Sequence, residues 1–155
     1  MDRKMVNRIQ QEDAYGCAVA CIAMATVKTY QSVLSVVKQY WSVFKPFDKY
    51  SGLDNFDEQI ILFRLGFRAI KIPMLSGCEA MKRYVGEKQA ILTVPSLNVR
   101  GLYHGIFWDG ENILDPSPFR QYTTKTGWEE AIEARVIRKI YKDEGHHLYG
   151  IGGAE

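Results

Sequence analysis

A cysteine preceded by a glutamine opens the first apolar stretch of the chain. Cys17 follows Gly16 and precedes a run of small apolar residues, and Gln11 lies six positions upstream. A cysteine that begins a helix is placed where backbone N–H groups and the helix dipole favour its thiolate, the nucleophilic form. The N–H of Cys17 and the side-chain amide of Gln11 can donate to the oxyanion of a tetrahedral intermediate. The alternative is that Cys17 is a small buried hydrophobe.

A histidine and an aspartate lie in a predicted β-hairpin further along the chain. His104 lies in an apolar stretch, and Asp115 ends the segment after the turn residues Asp109 and Gly110. A two-residue loop places His104 directly opposite Asp115, with Cβ atoms about 5.5 Å apart. A four-residue loop makes His104 and Asp115 diagonal neighbours that still share one face of the sheet. A three-residue loop would place the two side chains on opposite faces. The alternative is a strand histidine and an unrelated turn aspartate.

The two segments together contain the groups that acyl transfer requires. Asp115 can hold one imidazole nitrogen of His104 and leave the other for Cys17, which gives a nucleophile, a base and an orienter of the base. We expect the neighbouring residues to contact the substrate: Gly16, Tyr103 and Gly105. This chemistry requires no metal and no organic cofactor.

Metal binding is the rival use of the same side chains. Cys17 and Cys21 lie four residues apart on one helical face, and His104 is a third candidate ligand. Structural zinc sites usually have four protein ligands. The fourth would have to come from Cys78 or from the histidines near the C-terminus, so zinc is the less favoured interpretation.

The order of predicted elements indicates an α+β fold in which N-terminal helices pack on a C-terminal antiparallel sheet. Helices are predicted from Cys17 to about Lys28, after Gln31 or Ser32, and from a cap at Asp54 to a stop at Gly66. Strands are predicted at residues 67–72, 89–94, 102–108, 111–115 and 135–141, with short helices at 78–85 and 128–134. Residues 1–8 are predicted to be an arm, 9–142 one domain, and 143–155 a flexible glycine-rich tail.

Composition and charge exclude several classes of partner. The 155 residues carry a net charge of +2 that is spread along the chain, which gives no electrostatic footprint for nucleic acid. No apolar run is long enough to insert in a membrane, and no signal peptide is recognisable. Three cysteines are too few for a disulfide framework in a chain of this length, so we expect a cytoplasmic, reducing location.

Short motifs in the chain resemble a family of papain-like peptidases. Q-E-D-A-Y-G-C-A-V-A-C-I-A-M-A is similar to the active-site start of the peptidases that cut double-glycine leader peptides from bacteriocins. F-R-L-G-F-R-A-I-K-I, A-I-L-T-V, Y-H-G-I-F-W and N-I-L-D-P resemble later segments of that family, in the same order. The family commonly has Asp-Cys-Gly where this chain has Gly16, Cys17 and Ala18.

The resemblance implies a function and a set of roles. Gln11 would serve the oxyanion hole, Cys17 would be the nucleophile, His104 the base and Asp115 its orienter. The substrate would be a peptide or protein, with cleavage after small residues such as Gly-Gly, and a separate transporter is an implied partner. Two other hypotheses stay open: a peptide-binding module of the same fold without catalysis, and an acyltransferase or protein-modifying effector that uses the same triad.

Overall fold

The computed structural model describes residues 6–44, 46–47, 50–72, 81–126 and 136–142. In these ranges helices come first: α1 (Cys17–Thr26), α2 (Tyr30–Phe44) and α3 (Asn55–Arg64). Strands follow: β1 (Phe67–Lys71), β2 (Gln89–Pro95), β3 (Tyr103–Trp108), β4 (Ile113–Leu114) and β5 (Val136–Lys142). The fold is α+β, as the order of predicted elements indicated.

Helix α1 forms the centre of the core because its side chains are small and apolar on every face. All of its residues after Cys17 are buried. Thr26, its last residue, donates from Oγ1 to the carbonyl of Ile22, which satisfies the hydroxyl inside the core. The helix ends two residues before the predicted Lys28, since Val27 adopts a left-handed conformation with φ 55°. That conformation is rare for a β-branched residue and breaks the helical repeat.

Helices α2 and α3 begin at side-chain caps. In α2 the Ser32 N–H donates to Thr29 Oγ1, so the helix starts at Tyr30, two or three residues earlier than predicted. In α3 the predicted cap Asp54 is confirmed, and it forms a reciprocal capping box with Asp57. Among the described residues, no single helix is long and apolar enough to cross a membrane, and α1 and α2 meet that criterion only as a pair bent by 117°.

The five described strands form one antiparallel sheet in the order β1-β5-β2-β3-β4. Both faces of its central strands are covered. On one face, Ile91, Phe107 and Ile140 pack in the cluster that contains α1. On the other face, a second cluster contains Leu92 and Ile106 with further buried apolar residues. Because adjacent strand residues point to opposite faces, β2 and β3 are held rigidly between two apolar layers.

The loop between β3 and β4 is longer than the predicted two-residue turn. Trp108 pairs with Ile113, so four residues form the loop. The carboxylate of Asp109 accepts hydrogen bonds from the N–H groups of Glu111 and Asn112, which favours the longer loop over a tight turn. The prediction that a strand covers residues 111–115 was therefore wrong at its start, and β4 consists of Ile113 and Leu114 alone.

Other predictions fall partly or wholly outside the described residues. Of the predicted helix at 78–85, the structure describes one π-helical turn, Met81–Val85. The predicted helix at 128–134, the tail at 143–155 and Cys78 lie outside the described ranges. The last predicted strand is present as β5, and the loop predicted at 95–101 begins one residue later because Pro95 ends β2.

A buried carboxyl group gives the fold a pH-dependent stability. Glu58 on α3 and Arg138 on β5 are 5% and 8% exposed. Burial raises the pKa of Glu58 from 4.5 to about 7, although Arg138 opposes the shift. Because the folded chain binds this proton more tightly than the unfolded chain, the free energy of unfolding decreases as the pH rises through this range.

Replacing Glu58 with glutamine is expected to remove this titration. Relative to the wild type, the free energy of unfolding of Glu58→Gln should increase by about 2–3 kcal/mol between about pH 5 and about pH 8. Urea unfolding of both proteins at the two pH values measures this change in the free energy of unfolding. The exposed Glu111 is the matched control, and Glu111→Gln should leave the pH dependence as in the wild type. A constant difference between Glu58→Gln and the wild type would contradict the prediction.

Candidate active site

Cys17 is the first residue of α1, at a helix end that no side chain caps. Gly16 occupies the N-cap position and forms no side-chain hydrogen bond, and the helical bonding starts from the Ala20 N–H to the Gly16 carbonyl. The first N–H groups of a helix have no acceptor within it and carry the positive end of its dipole. The half-buried Cys17 side chain therefore lies beside backbone donors that can face an anion.

His104 and Asp115 form a short hydrogen bond. The imidazole Nε2 lies 2.7 Å from Asp115 Oδ1, and the two side chains are 13% and 1% exposed. His104 is on β3 and Asp115 directly follows β4, across the four-residue loop. This is the loop length for which the spacing predicts a diagonal pair on one face, and the predicted contact is present.

The carboxylate of Asp115 is fixed from several directions. Its Oδ1 also accepts the Ser117 N–H at 2.9 Å, and its Oδ2 accepts the Tyr122 N–H at 2.9 Å. Arg8 donates to the backbone carbonyls of Asp115 and Ser117, both at 2.6 Å. Because every one of these donors is anchored elsewhere in the fold, Asp115 holds the ring of His104 in one orientation.

The imidazole of His104 and the side chain of Cys17 line the same cleft and interact electrostatically. Because Nε2 is held by Asp115, Nδ1 is the nitrogen available to the sulfur. Burial acts to lower the pKa of His104, but the hydrogen bond to Asp115 and the interaction with Cys17 outweigh it and raise the pKa to about 9. The ring is thus favoured in its protonated form near neutral pH.

Gln11 lies beside Cys17 and is tied to the Asp115 loop. Its backbone N–H donates to the Pro116 carbonyl at 2.9 Å, and its side-chain Nε2 donates to the Asp13 carbonyl at 2.9 Å. Its Oε1 is buried and has no hydrogen-bond partner among the described residues. Gln11 and Cys17 thus line the same cleft, and one acceptor of the Gln11 amide is unused.

An open cleft of about 710 Å³ contains both Cys17 and His104. The segment before α1, the loop between β2 and β3, and the loop after Asp115 form its walls: Gln10, Gln11, Glu12, Asp13, Ala14, Ser96, Asn98, Val99, Leu102, Tyr103, Ser117, Pro118 and Phe119. Four of these residues are large, apolar and at least half exposed: Val99, Leu102, Tyr103 and Phe119. The cleft therefore combines an exposed apolar surface with the sulfur of Cys17.

Gly16 and Gly105 lie at packing contacts behind the cleft, whereas Tyr103 lines it. A Cβ on Gly16 would collide with Tyr30 Oη and lie 3.3 Å from Gln11 Cβ. A Cβ on Gly105 would lie 3.8 Å from the sulfur of Cys17 and 3.8 Å from that of Cys21. Gly105 thus allows β3 to approach α1 at Cys17 and Cys21. The assignment of both glycines to substrate binding stays a prediction.

Cys21 lies one turn below Cys17 and is fully buried. Burial, followed by the charge of Cys17, raises the pKa of the Cys21 thiol well above its usual value. It therefore stays a neutral thiol in the core. Within the described part of the chain, no group of three or more histidine, cysteine, aspartate or glutamate residues is arranged to hold a metal ion.

Two contributors to the site were missed in the sequence. Arg8 lies in the predicted arm, yet it holds the carbonyls on either side of Pro116. Tyr30 is a buried residue of α2 whose hydroxyl lies against Gly16. Arg8 and Tyr30 each contact residues that are distant in sequence or belong to another element. No local sequence pattern therefore predicted their contribution.

Comparison with known proteins supports the fold. No family model matches the chain, and no curated protein matches it by sequence. Among solved structures, it is similar to one described as a double glycine motif protease from an AMS/PCAT transporter in complex with the leader peptide. The TM-score is 0.62 at 18% identity, over 89% of this chain and 92% of the other. The chain therefore has the α+β fold of a papain-like peptidase.

Proposed function

We propose that this chain is a cysteine peptidase in which Cys17 is the nucleophile, His104 the general acid and base, and Asp115 the orienter of His104. The observation that carries the proposal is a cleft in which Cys17, at an uncapped helix end, faces the same space as His104, whose ring is hydrogen-bonded to a buried carboxylate. A histidine that only supports the fold needs no more than one hydrogen-bond partner. Here the ring joins a half-buried cysteine in an open cleft to a carboxylate that accepts two further backbone N–H groups.

The chemistry follows from these contacts. The Cys17 thiolate attacks the carbonyl carbon of a peptide or isopeptide bond, and the oxyanion accepts hydrogen bonds from the Cys17 N–H and from the Gln11 amide. The His104 imidazolium protonates the leaving amine, which leaves a thioester on Cys17. The neutral imidazole then removes a proton from water, and the hydroxide releases the acid and regenerates the thiolate.

The proposed substrate is a peptide with small residues, such as Gly-Gly, before the cleaved bond. Support comes from the structural neighbour, which is described as a double-glycine protease in complex with a leader peptide. The apolar side chains along the cleft give an extended substrate a surface on which to pack. A separate transporter that exports the processed peptide is part of the same proposal.

Labelling with an electrophilic peptide tests this function directly. The probe is a short peptide ending in Gly-Gly chloromethyl ketone, which alkylates a nearby thiolate with loss of chloride, and peptide mass spectrometry locates the adduct. We expect a single adduct on Cys17 that forms faster than the adduct on free cysteine. Cys17→Ser should abolish it, and the matched variant Cys21→Ser should retain it, since Cys21 is fully buried.

Two results would contradict the proposal. An adduct on another residue would remove Cys17 from the role of nucleophile. Alkylation of Cys17 no faster than that of free cysteine would favour the peptide-binding module without catalysis.

A probe ending in two bulky residues in place of Gly-Gly tests the proposed preference for small residues. It should react with Cys17 more slowly than the Gly-Gly probe.

A further inference from the structure

The hydroxyl of Tyr30 is a buried donor without an acceptor. Tyr30 begins α2, is 6% exposed, and its Oη has no hydrogen-bond partner among the described residues. The backbone of Glu12 approaches this oxygen and acts to lower the pKa of the phenol, without the geometry of a full hydrogen bond. A buried polar group that is left unpaired destabilises the fold, so its presence calls for a functional reason.

An acceptor without a donor lies close to this hydroxyl. Gln11 Oε1 is also buried and unpaired within the described ranges. Tyr30 Oη and Gln11 Cβ both converge on the position where Gly16 would carry a side chain, with Gln11 Cβ 3.3 Å from that point. The length of a glutamine side chain is therefore enough for its amide oxygen to reach the phenol. A hydrogen bond between the two atoms would satisfy both groups.

We propose that Tyr30 is a positioning residue for Gln11: its hydroxyl donates to Gln11 Oε1 and thereby aims Gln11 Nε2 at the oxyanion formed on attack by Cys17. The inference rests on the proposed peptidase function. It assigns Tyr30 no contact with the substrate.

The surroundings of Tyr30 fit this role. Burial is the largest influence on the pKa of Tyr30, and the nearby charges of Asp13, Glu12 and Cys17 act in the same direction, so the net pKa is raised and the phenol keeps its proton as a donor. Gln11 Nε2 has two N–H groups and donates one of them to the Asp13 carbonyl. The second N–H is available for an oxyanion. A donor on Oε1 polarises the amide and strengthens that hydrogen bond.

Gly16 is the residue that allows this arrangement. Any side chain there would collide with Tyr30 Oη and displace the phenol from Gln11. The glycine that precedes the nucleophile is thus explained by the space that the phenol occupies. This explanation differs from the sequence-based one, in which Gly16 admits the substrate backbone.

The test compares two reactions of Cys17 in the full chain. A peptide aldehyde ending in Gly-Gly forms a tetrahedral adduct with an oxygen at the oxyanion position, and its affinity is measured by how well it protects Cys17 from iodoacetamide. Alkylation by iodoacetamide alone forms no such oxygen. Tyr30→Phe should weaken the aldehyde by about 10-fold and leave the alkylation rate within about twofold of the wild type.

Two further variants separate positioning from a general effect of a buried phenol. Gln11→Ala should weaken the aldehyde by about 100-fold or more, the cost of a lost oxyanion donor, and adding Tyr30→Phe should then cause no further loss. Tyr50 is the matched control, because its hydroxyl is also buried and unpaired within the described residues. Tyr50→Phe should bind the aldehyde as the wild type does.

The outcomes distinguish this inference from the proposed function. If the aldehyde fails to protect Cys17 in the wild type, both are overturned. If the wild type is protected and Gln11→Ala is weakened, but Tyr30→Phe equals the wild type, only the positioning role is overturned. Additive losses in the double variant, or an equal loss in Tyr50→Phe, would overturn it as well.

Discussion

Replacing His104 with alanine is expected to lower kcat/KM for a Gly-Gly peptide substrate by about 10⁴-fold or more. In the proposed mechanism the imidazole activates the Cys17 sulfur and protonates the leaving amine. Its removal therefore affects both the nucleophile and the leaving group. Steady-state hydrolysis, followed by separation of the products, measures the loss.

The same variant allows a test of rescue. Imidazole added to the buffer should restore part of the activity of His104→Ala, because the missing ring leaves space beside the sulfur in an open cleft. Circular dichroism should confirm that the variant folds. If His104→Ala kept a tenth or more of the wild-type activity, the role of His104 as acid and base would have to be abandoned.

Replacing Asp115 with asparagine is expected to lower kcat/KM by roughly 10³- to 10⁴-fold and to narrow the pH range of activity. The hydrogen bond that His104 donates to Asp115 is one cause of the raised pKa of His104, which is about 9 in the wild type. Because the imidazolium must donate a proton to the leaving amine, wild-type activity should fall only as the pH rises through about 9. In Asp115→Asn that pKa is lower, so the alkaline decline should start at a lower pH.

A second aspartate in the same hairpin provides the control. The carboxylates of Asp109 and Asp115 both accept hydrogen bonds from nearby backbone N–H groups. The donors to Asp109 are the N–H groups of Glu111 and Asn112 within the loop. Asp109→Asn should therefore keep the alkaline limb of the wild type even if it weakens the loop. A pH profile of kcat/KM for the three proteins decides the question. An alkaline limb that stays in place in Asp115→Asn would show that the carboxylate does not control His104.

The titration of His104 also enters the stability of the fold. Its pKa is raised from 6.5 in the unfolded chain to about 9 in the folded one. The pair with Asp115 and Cys17 therefore contributes its full stabilisation below about pH 6.5 and loses it as the pH rises through about 9. Glu58 acts in the same direction at lower pH, so both groups make the wild type less stable in alkaline solution.

The position of the candidate site could be predicted from two short segments of sequence. Small apolar residues after Cys17 predict a buried helix on local grounds, and such a helix is present. The contact between His104 and Asp115 was predicted from the alternation of side chains between the two faces of a hairpin. A change of two residues in the loop length leaves both side chains on the same face. The four-residue loop itself was not predicted, because the Asp-Gly pair also suits a tight turn and only the bonds to Asp109 Oδ1 favour the longer form.

The rest of the site depends on contacts between distant residues. Arg8 binds carbonyls 107 and 109 positions away, and any basic residue of a charged arm has the same local sequence pattern. The unpaired hydroxyl of Tyr30 was equally hidden, since a tyrosine at a helix start predicts packing and gives no information on its hydrogen bonds. Contacts of this kind depend on tertiary packing, which periodicity and motif spacing do not encode.

The two hydrogen bonds from Arg8 connect the loop after Asp115 to a residue that is distant in sequence. Arg8 donates to the main chain on both sides of Pro116, and the Gln11 N–H donates to the Pro116 carbonyl between them. The stretch upstream of α1 thus supports the backbone that carries Asp115. In the proposed mechanism, a substitution at Arg8 would therefore act on turnover through Asp115, without a contact to the sulfur or the ring.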